Sequence, residues 1–270
     1  MTQLPTPELP TSHTARFVLT AVEFDVLWER LALGPTAVVL QLPSPGRTWD
    51  ERREIAAGGW QALRDRGLAG PDGPNPELVQ LVHVLAHPER QLEVRAWHDH
   101  EVRAMAAEGT GTGVLAVRQD ATVTLERCSS LPLAATSVLP GLVAGPGRSV
   151  TVPADALGTA LREAAEAGLR LALLGRGVAD EDARLLSRML DGTRYRAHFS
   201  ALAADRWGVL RRHPQVVIVL GGPRGCYQLT RTTGEDGVTW ATVAPTDDRR
   251  LRERLSDLLQ DAVTAASAHP

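Results

Sequence analysis

The chain has 270 residues, 43% of them hydrophobic, enough to bury the core of one large domain or two small ones. A formal net charge of -3, with arginines interleaved among acids as in Asp50-Glu51-Arg52-Arg53-Glu54, argues against a nucleic-acid binder and its clustered basic surface. No apolar run approaches the ~20 residues that cross a bilayer, and the polar, Pro-rich 1–10 stretch lacks the apolar core of a signal peptide, so a cytoplasmic location is expected. Lys is absent and Ala abundant, the composition of a GC-rich, actinobacterial genome. Cys128 and Cys226 have no metal-ligand spacing and are expected to be reduced thiols.

Taken in order, residues 1–14 are expected to be disordered and 16–19 to form a short strand. Thr20 with Glu23 is a capping box that starts a helix carrying Val22, Val26, Leu27 and Trp28, stopped by Gly34-Pro35. Residues 37–42 read as a second strand. The turn 43–47 leads to a second capping box, Thr48 with Glu51, and a long helix that passes Trp60 and Leu63 and stops at Gly67. Asn75-Pro76 opens a shorter helix, as an N-cap followed by Pro in the first turn.

The pattern then changes to period two. Residues 91–98, 101–108, 113–118 and 122–127 read as four strands, and links this short favour an antiparallel meander. A helix at 131–138 and the break Gly145-Pro146-Gly147 follow. The order then repeats: a strand at 149–152, helices at 154–167 and 182–190, strands at 193–200, 207–211, 216–220, 226–231 and 238–243, and a helix at 247–263. The fold class expected is α+β, with two quasi-symmetric halves, 15–144 and 145–264, each a largely antiparallel sheet with packed helices, and a disordered tail at 265–270.

Signs of catalysis are weak. The run GLVAGPGRS at 141–149 fails as a phosphate loop, because Pro146 stands at the second Gly, Arg148 replaces Lys, and a strand follows. His83 and His87 have helical spacing, but Val84 stands where a metalloprotease places Glu. His98 and His100 flank a turn, Cys226 reads as buried filler, and Asp247 and Asp248 sit where a helix start favours acids. There is no GxSxG elbow. No catalytic, metal or cofactor site is expected.

Four strings resemble one family in order along 16–262. They are Gly46-Arg47-Thr48-Trp49-Asp50-Glu51-Arg52, Leu63-Arg64-Asp65-Arg66-Gly67-Leu68, the 145–153 break, and Trp240-Ala241-Thr242-Val243-Ala244-Pro245-Thr246-Asp247 before a Leu-rich helix. Together they resemble the EspG family of type VII (ESX) secretion chaperones. The stretch Gly225-Cys226-Tyr227 departs from that family's Gly-Arg-Tyr. The resemblance implies a non-enzymatic cytosolic chaperone, a monomer or weak homodimer when free. It would bind the tip of a PPE protein in a PE/PPE heterodimer and keep it soluble for export. It also implies contact through the C-terminal half. In the strand at 193–200, Tyr195, Ala197 and Phe199 should face the core, leaving Arg194, Arg196 and His198 outward, and these with Arg231 are the candidate partner-binding residues. Trp240 reads as core or hairpin packing. Two other readings are a sensor or enzyme that uses the groove between the halves, and a structural subunit of the secretion machine. A deep pocket with convergent polar groups would favour the sensor or enzyme.

Overall fold

The computed structural model describes residues 16–268 apart from residue 41, so the 1–14 segment expected to be disordered lies outside the described residues. Both capping boxes form. The Glu23 amide donates to Thr20 Oγ1 at 3.1 Å while the Thr20 amide donates to Glu23 Oε2 at 2.6 Å, which turns β1 (Arg16–Thr20) directly into α1 (Ala21–Arg30). Thr48 and Glu51 do the same for α2 (Trp49–Asp65), where Glu51 also accepts from the Arg47 amide at 2.8 Å. Gly67, at a φ of 68°, takes the left-handed conformation that ends α2.

A two-strand hairpin not foreseen from the sequence, β2 (Ala69–Gly70) and β3 (Gly73–Pro74), leads to α3 (Pro76–Ala86). The meander follows as β4 (Arg90–Trp97), β5 (Glu101–Gly109), β6 (Thr112–Gln119) and β7 (Thr122–Cys128), then α4 (Leu131–Thr136). Next come β8 (Val150–Pro153), α5 (Ala154–Ala167), an unforeseen α6 (Leu169–Leu174), and α7 (Asp180–Leu190). The chain ends with β9 (Tyr195–Ala204), β10 (Leu210–Gly222), β11 (Gly225–Thr233), β12 (Thr239–Pro245) and α8 (Asp248–Ser267).

Ten strands form one sheet in the order β1-β7-β6-β5-β4-β9-β10-β11-β12-β8, every neighbouring pair antiparallel. From either edge the order begins with the strand that precedes a helical group and then runs back through a four-strand meander. The two runs meet at β4 and β9, which pair from Arg90↔Ala203 to Trp97↔Arg196. One face of the centre is packed by α4 and α8 against Leu92, Val94, Phe199 and Val219. The other face carries α1–α3 over the β5–β7 end and α5–α7 over the β11–β12 end.

Three expectations from the sequence are corrected. Residues 37–40 form no strand: Val39 and Leu40 are fully buried in the α1–α3 core, and their carbonyls accept from the Arg103 and Arg118 guanidiniums at 3.4 and 3.0 Å. Side chains from the sheet thus satisfy that backbone in place of a strand ladder. The separate strands at 207–211 and 216–220 are one strand, β10, with a register shift between Arg212 and Val216. Pro214, which has no amide to donate, sits in that bulge and breaks the alternation on which the reading relied. The tail expected at 265–270 is helical through Ser267, because Ala262 and Ala266 continue the buried stripe of Leu251, Leu255 and Leu258. Residues 269–270 lie outside the described residues.

Gly221 stands opposite Tyr195 in the β9–β10 ladder, and a Cβ there would overlap the Tyr195 ring. Gly221→Ala is therefore expected to cost about 1–3 kcal/mol, read as a lower midpoint in urea unfolding with an unchanged slope.

Candidate functional site: a cleft at the centre of the sheet

The helical groups on the shared face stop short of the middle strands and leave β4 and β9 open between them. Alternation decides what shows there. In β4, Leu92, Val94 and Ala96 point towards α8, so Glu93, Arg95 and Trp97 point into the opening. In β9, Ala197 and Phe199 are buried against α8 as the sequence predicted, which turns Arg196 and His198 outward. The result is a cleft of about 570 Å³, floored by Glu93, Arg95, Trp97, Arg196, His198 and Ser200. Glu101 and Arg103 of β5 and Arg212 and Val216 of β10 form its flanks.

Two of the four candidate residues, Arg196 and His198, line the cleft. Arg194 is exposed just ahead of β9, with its amide donating to the Gly221 carbonyl at 2.8 Å. Arg231 is exposed on β11, outside the cleft lining. Sequence reasoning missed Arg95, Trp97 and their flanking partners. The alternation that exposed Arg196 was equally legible in β4, but nothing local showed that β4 and β9 would be neighbours. Trp240 is 39% exposed on β12 between its register partners Thr232 and Pro153, so it packs on the sheet surface and not in the core.

The register stacks like charge. Arg118, Arg103, Arg95 and His198 are successive cross-strand partners over β6, β5, β4 and β9, all on the open face. Directly opposed like charges destabilise a ladder, by a few tenths to about 1 kcal/mol per pair. Some of these groups have partners. Arg103 binds Glu101 at 2.8 Å, and the Arg118 guanidinium donates to the Leu40 and Asp120 carbonyls at 3.0 and 3.1 Å. Arg212 reaches Glu93 at 2.6 Å and satisfies a carboxylate only 6% exposed. Arg95 and Arg196 differ: no described carboxylate forms an ion pair with either.

Two titrations register the field. The hydrogen bond from Arg103 holds the Glu101 carboxyl below its usual range against the effect of burial, and Arg118 and Arg95 add to it. Burial pushes the His198 imidazole below its ordinary value, and the charges of Arg196 and Arg95 push the same way.

Elsewhere the thiols are poorly placed for chemistry. Burial pushes Cys128 up to about 11, and buried Cys226 lies 3.0 Å from the Tyr195 hydroxyl. No three potential metal ligands cluster among the described residues. Two larger hollows, of about 650 and 740 Å³, lie on the opposite face beside α4, and their charged residues are mixed in sign. In an NMR pH titration His198 is expected to titrate below the ordinary imidazole value of about 6.5, and Arg196→Gln to move it upward. A His198 titration unmoved by Arg196→Gln would separate the two groups electrostatically.

The model of the EspG family matches residues 20–257. No curated protein sequence matches the chain. A solved structure of the Mycobacterium tuberculosis type VII secretion system chaperone EspG5, in complex with the PE25-PPE41 dimer, is similar to this chain with a TM-score of 0.72 at 16% identity. The match covers 91% of this chain and 96% of that one, and at such identity it is a likeness of fold. No helix among the described residues is long and apolar enough to cross a membrane. With the family model running from the start of α1 to the middle of α8, the chain belongs to the EspG family.

Proposed function

We propose that this protein is a cytosolic, non-catalytic chaperone of type VII secretion that binds the PPE subunit of a PE/PPE-type heterodimer and keeps it soluble before export. The observation that carries the reading is the family match over 20–257, and the similar EspG5 was solved with a PE25-PPE41 dimer bound. The central cleft supplies a docking surface of suitable character. It lies along the sheet between two helical groups, and Trp97 stands 54% exposed beside Arg196, its register partner. An apolar helical tip free in solution would self-associate, and a partner that covers it lowers the concentration of the sticky species.

The same surface gives little support to an enzyme. Its acids are engaged with arginines, Glu101 with Arg103 and Glu93 with Arg212, in place of activating a nucleophile. The docking surface in this proposal is β9 with its neighbours, centred on Arg196 and His198 and flanked by Arg194 and Arg231.

Co-expression with PE/PPE-type pairs from the same genome, followed by size exclusion, is expected to yield a stable complex with one copy of each chain. The double variant Arg194→Glu, Arg196→Glu is expected to keep its circular dichroism spectrum and lose capture. A folded double variant that still captures its pair at full strength would remove β9 from the site.

A further inference from the structure

The cleft holds more positive charge than its own acids balance, and the surplus has a definite place. Arg103 is matched by Glu101 and Arg212 by Glu93, which leaves Arg95 on β4 and Arg196 on β9. These two stand diagonally, two register positions apart on one face of the β4–β9 pairing, since Arg95 is opposite His198 and Trp97 is opposite Arg196. Both are exposed, both line the cleft, and His198 lies between them on the same face. Trp97 presents an apolar surface at the same spot.

We propose that the bound partner seats an Asp or Glu side chain, carried beside apolar residues, on Arg95 and Arg196 at the centre of the cleft. The inference rests on the cleft being the docking surface, and names the chemistry that surface selects. Charge complementarity argues for an anion, because two guanidiniums without a carboxylate of their own are a ready fork for one. The apolar neighbour argues that the anion arrives on a protein. A partner side chain flanked by apolar residues would cover Trp97 as it reached the arginines, whereas a free anion would leave that ring exposed. The row that continues into Arg103 and Arg118 adds attraction at longer range and should make association fast and salt-sensitive.

The test uses the complex captured by size exclusion, with affinity measured by calorimetry for the wild type and for Arg95→Gln, Arg196→Gln and Trp97→Ala. The glutamines keep side-chain bulk and remove charge, and circular dichroism checks that each variant folds. Each charge-removing variant is expected to bind at least about ten-fold more weakly, and wild-type affinity to fall as salt is raised. Exchange of the partner's seated acid for Arg is expected to abolish binding and to be rescued by Arg196→Glu.

If Trp97→Ala weakens binding while both glutamine variants bind as the wild type, the cleft is the docking surface but seats no acid, and the inference fails alone. If all three variants bind as the wild type, or no PE/PPE-type pair is captured, the docking reading falls and takes the inference with it. Phosphate and a seated carboxylate would compete for the same guanidiniums, so inorganic phosphate that binds at Arg95 and Arg196 yet leaves the partner's affinity unchanged at constant ionic strength would overturn the inference.

Discussion

The pairing of β4 with β9 brings together strands that lie far apart in the sequence, and the rest of the molecule is arranged about it. Without those eight antiparallel register pairs there would be two five-strand sheets, each with an unpaired edge where β4 or β9 ends the run. With them the sheet is continuous, and a row of side chains from both runs shares one face. The pairing is secured from behind. Leu92, Val94, Ala197 and Phe199 are packed by α8, whose leucines span the join. Apolar burial on one face therefore holds the strands together while the other face stays available.

That division explains how the cleft tolerates its charge. A sheet buried on both faces could not hold Arg118, Arg103, Arg95 and His198 in one register row, since each buried charge would need a partner of its own. Here the row runs from a covered end to an open one. Arg118 and Arg103 lie near the α1–α3 group and donate to carbonyls and Glu101, with Arg103 Nε left buried and unpartnered, whereas Arg95 and His198 face the opening. The floor is electrostatically frustrated but remains solvated, and a partner's arrival would relieve that frustration.

Much of the architecture was legible in the sequence because its signals are local. Thr20 with Glu23, Thr48 with Glu51, and Asn75 before Pro76 each fix a helix start within four residues of chain, and the meander strands announce themselves by alternation. The outward set of β9 was legible for the same reason. What failed was non-local. Residues 37–40 look like a strand because Val38, Val39 and Leu40 are strand-forming, yet arginines from β5 and β6 claim their carbonyls. Pro214 hid the continuity of β10, and only its partner β9 restores it. Arg95 and Trp97 line the cleft through a pairing that no short-range pattern encodes.

The attachment of the segment between α1 and α2 has a further consequence. Arg103 and Arg118 hold it through the carbonyls of Val39 and Leu40, and a carbonyl is common to every residue type. This grip does not read side chains. The segment can exchange its surface residues, such as the largely exposed Val38, without loosening its hold on the sheet. Arg103 also flanks the cleft, so one side chain joins this exchangeable segment to the charged floor. The surface of the segment is therefore free to drift in sequence while the ten-strand platform beneath it stays as it is.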